Sequence, residues 1–192
     1  MKRITLAVLA AAGFTMAVAA PAAAQSGTTL GIGVGITNPM SDWKSKDPNR
    51  GLGDKMGFHF GVGAGLALGS APVRLRVEGS WTQTSHQTGI DGKTRQLGGM
   101  VSLVYPFATA GNIKPYILGG IGFYSTKVTV PSAAVDTSKT SVGFGGGAGV
   151  RFPLSSASLF VEARYLTVKA FDVTYAQLPV TVGVSFPLGA KK

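Results

Sequence analysis

The stretch VRLRVEGSW, residues 73–81, sets Arg74, Arg76 and Glu78 on one side of an extended chain and Val73, Leu75 and Val77 on the other. A period of two is the side-chain period of a β-strand, so the two sets occupy opposite faces. LFVEARYL, residues 159–166, repeats the pattern with Glu162 and Arg164. Eight segments alternate over at least part of their length: 27–38, 55–69, 72–86, 93–107, 114–129, 139–153, 158–170 and 176–187. None carries a helical period. The chain is therefore all-β, most of its strands having one apolar and one polar face. The alternation alone leaves open which face meets water.

The N-terminus narrows the choice. MKRITLAVLAAAGFTMAVAAPAAAQ opens with Lys2 and Arg3, continues as an apolar run to about Ala20, and ends in small residues at Ala22–Ala24. That is the layout of a secretory signal peptide, with cleavage expected after Ala24. The competing reading, a membrane anchor, is disfavoured because Pro21 and the small-residue site end the run. The mature chain, residues 25–192, is then an exported single domain. It has no Cys, so no disulfide holds it; burial or a membrane must. Of 18 basic residues, two leave with the leader, which sets 16 against 8 acidic and a charge of +8. Such a charge favours an anionic neighbour. An exported chain does not meet nucleic acid, which leaves anionic lipid and lipopolysaccharide, or simply solvated basic loops.

The connections add a direction. GSAP (69–72), ATAGN (108–112) and LSSA (154–157) are short, whereas 39–54, 87–91, 131–138 and the region from Phe171 to Tyr175 are longer or more polar. Short turns at one end and larger loops at the other describe a transmembrane β-barrel, the short turns on the periplasmic side. Pro72, Pro106, Pro115, Pro153 and Pro187 fall at the short-turn ends, where a ladder tolerates a residue without N–H; Pro179 does not, and suggests a local bulge. Tyr105, Phe107, Tyr116, Phe152 and Phe186 form one expected aromatic belt, and Phe58, Trp81, Phe123, Tyr124, Phe171 and Tyr175 the other. Open strand edges in lipid would leave backbone groups unpaired at several kcal/mol each. The expected fold is thus a closed eight-stranded antiparallel up-and-down barrel, apolar faces outward and charges inside. The rival is a soluble periplasmic barrel with the faces reversed.

In the lumen, Arg74, Arg76, Arg151 and Arg164 are expected to meet Glu78 and Glu162 in an ion-pair network, because isolated buried charges are costly. The register of PYILGGIGFY (115–124) is left open, since both its faces are apolar. The glycines of GVGAG (61–65) and GFGGGAG (143–149) read as packing relief for large inward side chains, or else as the wall of a small cavity. Trp43, Lys44, Lys46 and Arg50 in the first long loop are the candidate outside contact. A Ser85/His86/Asp91 trio is too loosely spaced to indicate catalysis, and His59 faces inward alone; no enzyme, cofactor or metal site is expected.

Three stretches carry a family resemblance: KPYILGGIGFY (114–124), LFVEARYL (159–166) and LPVTVGVSF (178–186). They resemble the mid-barrel, penultimate and closing strands of the small OmpA-like barrels, the outer membrane protein β-barrel domain family. The resemblance implies the cell outer membrane and a closing strand, with Gly183 and Phe186, read by the barrel-insertion machinery. PLGAKK follows the aromatic, a departure from the usual ending. No peptidoglycan-binding domain is expected after it. The family hosts many roles. A structural or surface-interaction protein, monomeric and touching lipopolysaccharide, comes first; a narrow pore comes second and a lipid-modifying enzyme third.

Overall fold

Eight strands account for most of the computed structural model, which describes residues 27–45, 53–87 and 91–188. They are β1 (Thr28–Met40), β2 (Gly57–Ala67), β3 (Arg74–Ser85), β4 (Lys93–Pro106), β5 (Lys114–Val130), β6 (Val135–Pro153), β7 (Ser158–Ala170) and β8 (Val173–Leu188). Each pairs antiparallel with its chain neighbours, and β1 pairs with β8, so the sheet closes on itself. The expected leader 1–24, Lys46, Arg50 and the last four residues lie outside the described residues. Following paired residues once round, from Leu30 through Ala64, Val77, Val101, Ile121, Phe144, Thr167 and Ala176, returns to β1 at Met40, a stagger of 10 residues. A staggered eight-stranded closure leaves an interior about as wide as its own side chains.

The faces fall as the alternation requires. Leu30, Ile32, Val34 and Ile36 of β1, Leu97, Val101 and Leu103 of β4, and Leu159 and Val161 of β7 are all exposed on the outer wall. A water-soluble sheet would bury such a band. Arg76, Glu78, Glu162 and Arg164 point into the barrel. The register of β5 is settled as well: Ile117, Ile121 and Phe123 face outward, and Tyr116, Leu118, Tyr124 and Val128 are buried.

That register corrects the expected belts. Tyr105, Phe107 and Phe186 near the turns, and Phe58, Trp81 and Phe123 at the other side, are exposed. Tyr116, Tyr124 and Tyr175 are interior instead. The reason lies across the ladder: Tyr124 pairs with Gly98 and Tyr116 with Gly149, so each ring fills the space where its neighbour has no side chain. A Cβ on Gly98 would lie 2.0 Å from Tyr124 Cδ1, and one on Gly149 2.5 Å from Tyr116 Cζ. Gly98→Ala is therefore expected to cost about 1–3 kcal/mol, the usual price of overpacking. Urea titration of the refolded barrel in micelles checks this, and adding Tyr124→Leu should recover part of the loss.

Two long outer connections turn out to be tight. Phe171 and Asp172, with φ of 54° and 60°, form a two-residue turn between β7 and β8. Positive φ at both central residues matches the strand twist, which is why so short a turn suffices. Between β5 and β6 a 3-10 turn, Pro131–Ala133, is closed by Ala134 at φ 53°. Pairing continues to Val130 and Val135, whereas the β6–β7 ladder stops at Gly143. The β5–β6 hairpin therefore stands above its β7 neighbour, and half of the region 131–138, from Val135 on, is strand. Pro179 produces no bulge: the β7–β8 register is the same on either side of it, and the ladder only skips the pairs that would need its missing N–H.

Candidate functional site: the lumen and its two mouths

Three layers of side chains point into the lumen. The central one is ionic. Arg76 Nη2 donates to Glu162 Oε2 at 2.7 Å, and Arg76 Nε lies 3.1 Å from Glu78 Oε2. Arg164 grips Glu78 with both Nη atoms, and its Nη2 also donates to Glu162 Oε1 at 2.5 Å. Tyr116 donates its hydroxyl to Glu162 Oε2 at 2.8 Å. Two carboxylates thus share two guanidiniums and one phenol, with β3, β5 and β7 contributing. Alternation does the positioning: Arg76 and Glu78 are two residues apart on β3, as are Glu162 and Arg164 on β7, so each pair shares one face.

Arg74 and Arg151 do not join that network. Arg74 donates to the Gly27 carbonyl. The Arg151 guanidinium lies over the Tyr116 ring, 5.7 Å from its centre, and its Nε is buried without a hydrogen-bond partner. A six-member network is thus corrected to four, because Arg76 and Arg164 already occupy both carboxylates.

Above the ions lies an amide layer. Thr37 donates to Gln177 Oε1 at 2.8 Å, Gln177 Nε2 to Gln96 Oε1 at 2.6 Å, and Gln96 Nε2 to the Thr126 hydroxyl at 3.0 Å. The chain crosses from β1 through β8 and β4 to β5, and all four residues are buried. Inward parity of Gln96, Thr126 and Gln177 is the signal that would have found it; none was singled out from the sequence.

Among the described residues, the start of the first loop folds over the outer mouth. Ser41, at φ 55°, reverses the chain after β1, and the 3-10 turn Ser41–Lys44 drops the Trp43 indole into the barrel. Trp43 is 1% exposed and meets Tyr175 edge-on at 5.4 Å, among Val128, Val168 and Ala170. This overturns Trp43 as an outside contact: burying an indole gains more than exposing it to water. Lys44, in the same turn, remains at the surface. In a Trp81→Phe background, Trp43 fluorescence should resist both acrylamide and brominated lipid. In a Trp43→Phe background, Trp81 should be strongly quenched by brominated lipid.

Asp54 holds the same closure from the other end of that loop. Its N–H donates to the Trp43 carbonyl at 3.1 Å, and Thr84 and Thr94 donate to its carboxylate at 2.5 and 3.5 Å. Burial raises the Asp54 carboxyl above its ordinary value, against the lowering effect of those bonds and of His86. Burial lowers the His86 imidazole, against the attraction of Asp54 and Asp91. His86 Nε2 meets the Thr94 hydroxyl at 3.1 Å. Ser85 faces outward while His86 is buried, so the two do not share a face. His59 Nδ1 meets the Thr82 hydroxyl at 3.0 Å in the lumen.

On the inner side, glycines of β1 and β2 leave a cavity of about 70 Å³, bounded across the lumen by Arg76, Arg151 and Glu162. The GVGAG stretch thus forms cavity wall, while in GFGGGAG Gly143 and Gly149 receive tyrosine rings.

An outward apolar band, a closed ladder and a charged interior define an eight-stranded transmembrane β-barrel. The sequence profile described as "outer membrane protein beta-barrel domain" matches residues 6–186. The chain belongs to that family and is a protein of the cell outer membrane. Neisserial surface protein A has a similar fold, with a TM-score of 0.63 at 21% identity over 85% of this chain and 98% of that one. OprG of Pseudomonas aeruginosa superposes with a TM-score of 0.55 at 13% identity, over 86% and 98%. Ail, the attachment invasion locus protein of Yersinia pestis, gives 0.51 at 21% identity, over 84% and 100%. Among curated proteins none matches significantly.

Proposed function

We propose that this protein is a non-conducting structural or surface-interaction barrel of the outer membrane, its lumen plugged by its own side chains. The layered interior carries the reading: the Arg76–Glu162–Arg164–Glu78 layer, the Gln96–Gln177 layer and the Trp43 cluster succeed one another along the axis. An ion would have to break each in turn. Purified protein in planar bilayers should show no discrete openings between pH 5 and 8; regular single-channel steps that survive repurification would overturn the reading.

The outer rim supports a surface role. Arg95 and Lys127 face each other across the β4–β5 ladder, with Lys93 one outward position further up. Like charges directly opposite are unfavourable by themselves; Lys127 pairs with exposed Asp136 at 2.9 Å and Arg95 donates to Gln83, surface contacts weak enough for a bound anion to compete with. Lipopolysaccharide phosphates are the proposed partner, with Lys44, Lys46 and Arg50 of the first loop adding charge. Ail, one of the similar structures, is named for attachment and invasion; a comparable contact role is proposed here. Assembly would proceed through the barrel-insertion machinery, which would read the β8 end with Gly183 and the exposed Phe186, and the barrel would work as a monomer. Co-purified lipopolysaccharide should fall on Arg95→Gln/Lys127→Gln substitution, with the heat-dependent gel shift unchanged.

A further inference from the structure

We infer that the inner half of the lumen is a binding site for a small free inorganic oxyanion, of phosphate or sulfate size, held against Arg151. The charge count comes first. Four arginines, at 74, 76, 151 and 164, lie on inward positions against two glutamates, at 78 and 162, and Lys114 sits opposite Arg151 across the β5–β6 ladder, so cations outnumber carboxylates. The carboxylates have nothing left to offer: Glu162 receives Arg76, Arg164 and Tyr116, and Glu78 receives Arg76 and Arg164. Among the described residues, Arg151 makes no ion pair within 4 Å, and its Nε is buried without a partner. Arg74 and Arg76 repel it, against a weaker attraction from Glu162, whose oxygens Arg76 and Arg164 already hold. A desolvated guanidinium beside two others is unfavourable unless an anion joins them.

The space is there to hold one. The cavity of about 70 Å³ is lined by Arg76, Arg151 and Arg164, by Glu78 and Glu162, whose oxygens the central ion pairs hold, and by Thr29 and Ser185. At roughly 10–15 Å³ for each water, it takes about five waters or one tetrahedral oxyanion. Glycines 31, 61 and 65 make its far wall and supply no side chain that would fill it. The Trp43 cluster closes the other end of the barrel, so entry is from the inner mouth. Guanidinium suits this ligand, because its planar fork donates two parallel bonds to an oxyanion. The inference concerns the interior alone and does not depend on the outer-rim contact proposed above.

The test is thermal unfolding of the full barrel in zwitterionic micelles, free of lipopolysaccharide, followed by Trp43 fluorescence in a Trp81→Phe background. Inorganic phosphate and sulfate are titrated against sodium chloride at constant ionic strength. The midpoint should rise and saturate with oxyanion, and Arg151→Gln should weaken the apparent affinity about tenfold or more. Without oxyanion, Arg151→Gln should be as stable as the parent or more so, because it removes an uncompensated charge; Arg151→Lys should keep a weaker response. Lys169→Gln, exposed at the outer end of β7, should respond as the parent does. Glycerol 3-phosphate, a lipid-headgroup fragment too large for the cavity, should give no saturable shift. An equal shift in parent and Arg151→Gln, or a saturable response to glycerol 3-phosphate, would overturn the assignment.

Discussion

Glu162→Gln is expected to be the most damaging substitution in the lumen, costing about 3–5 kcal/mol in unfolding free energy. Glu162 is 5% exposed and accepts from Arg76, Arg164 and Tyr116 together. Glutamine keeps the shape and removes the charge, so Arg76 and Arg164 are left to share Glu78 alone. Breaking a buried pair costs more than the pair itself contributes, because the remaining charge stays desolvated. The comparison with Arg151→Gln separates charge balance from general damage to the lumen: one removes a shared carboxylate, the other an unpaired cation, and in buffer without oxyanion only the first should lower stability. Urea titration in micelles, read on unboiled gels, measures both. A Glu162→Gln barrel as stable as the parent would show that the central layer contributes no net stability.

Ile121→Arg is expected to cost about 2–4 kcal/mol in a bilayer, the usual penalty for arginine on the lipid face near the midplane. Ile121 is 50% exposed, and its row runs through Val77, Val101 and Phe144, all outward and uncharged. The effect depends on the solvent. In thin, hydrated micelles the same variant should lose much less, whereas Glu162→Gln should lose similar amounts in both. Folding yields into vesicles of increasing acyl length give the measurement. An Ile121→Arg barrel that folds equally well in every thickness would place that row away from the hydrocarbon.

Much of this architecture is written in the period of two. Once Val73, Leu75 and Val77 alternate with Arg74, Arg76 and Glu78, the strand has two unlike sides, and lipid outside is the expectation that the leader-like N-terminal sequence adds. Ion pairing was legible for the same reason, since residues two apart on one strand must share a face. Partner choice was not. That Arg164 takes both glutamates while Arg151 takes neither depends on the stagger of 10 residues, which no single strand contains. Strand β5 shows the limit most clearly: with Ile117 and Leu118 equally apolar, only the glycines facing Tyr116 and Tyr124 on neighbouring strands decide which side is inner. Trp43 shows it again. Its loop reads as polar and outward, yet a left-handed Ser41 turns the indole inward, where Tyr175 and Val168 from distant strands make burial favourable. Alternation is local and survives in the sequence. Which rings fill which gaps is set by closure, because closure brings strands that are far apart in the chain within a side chain's reach.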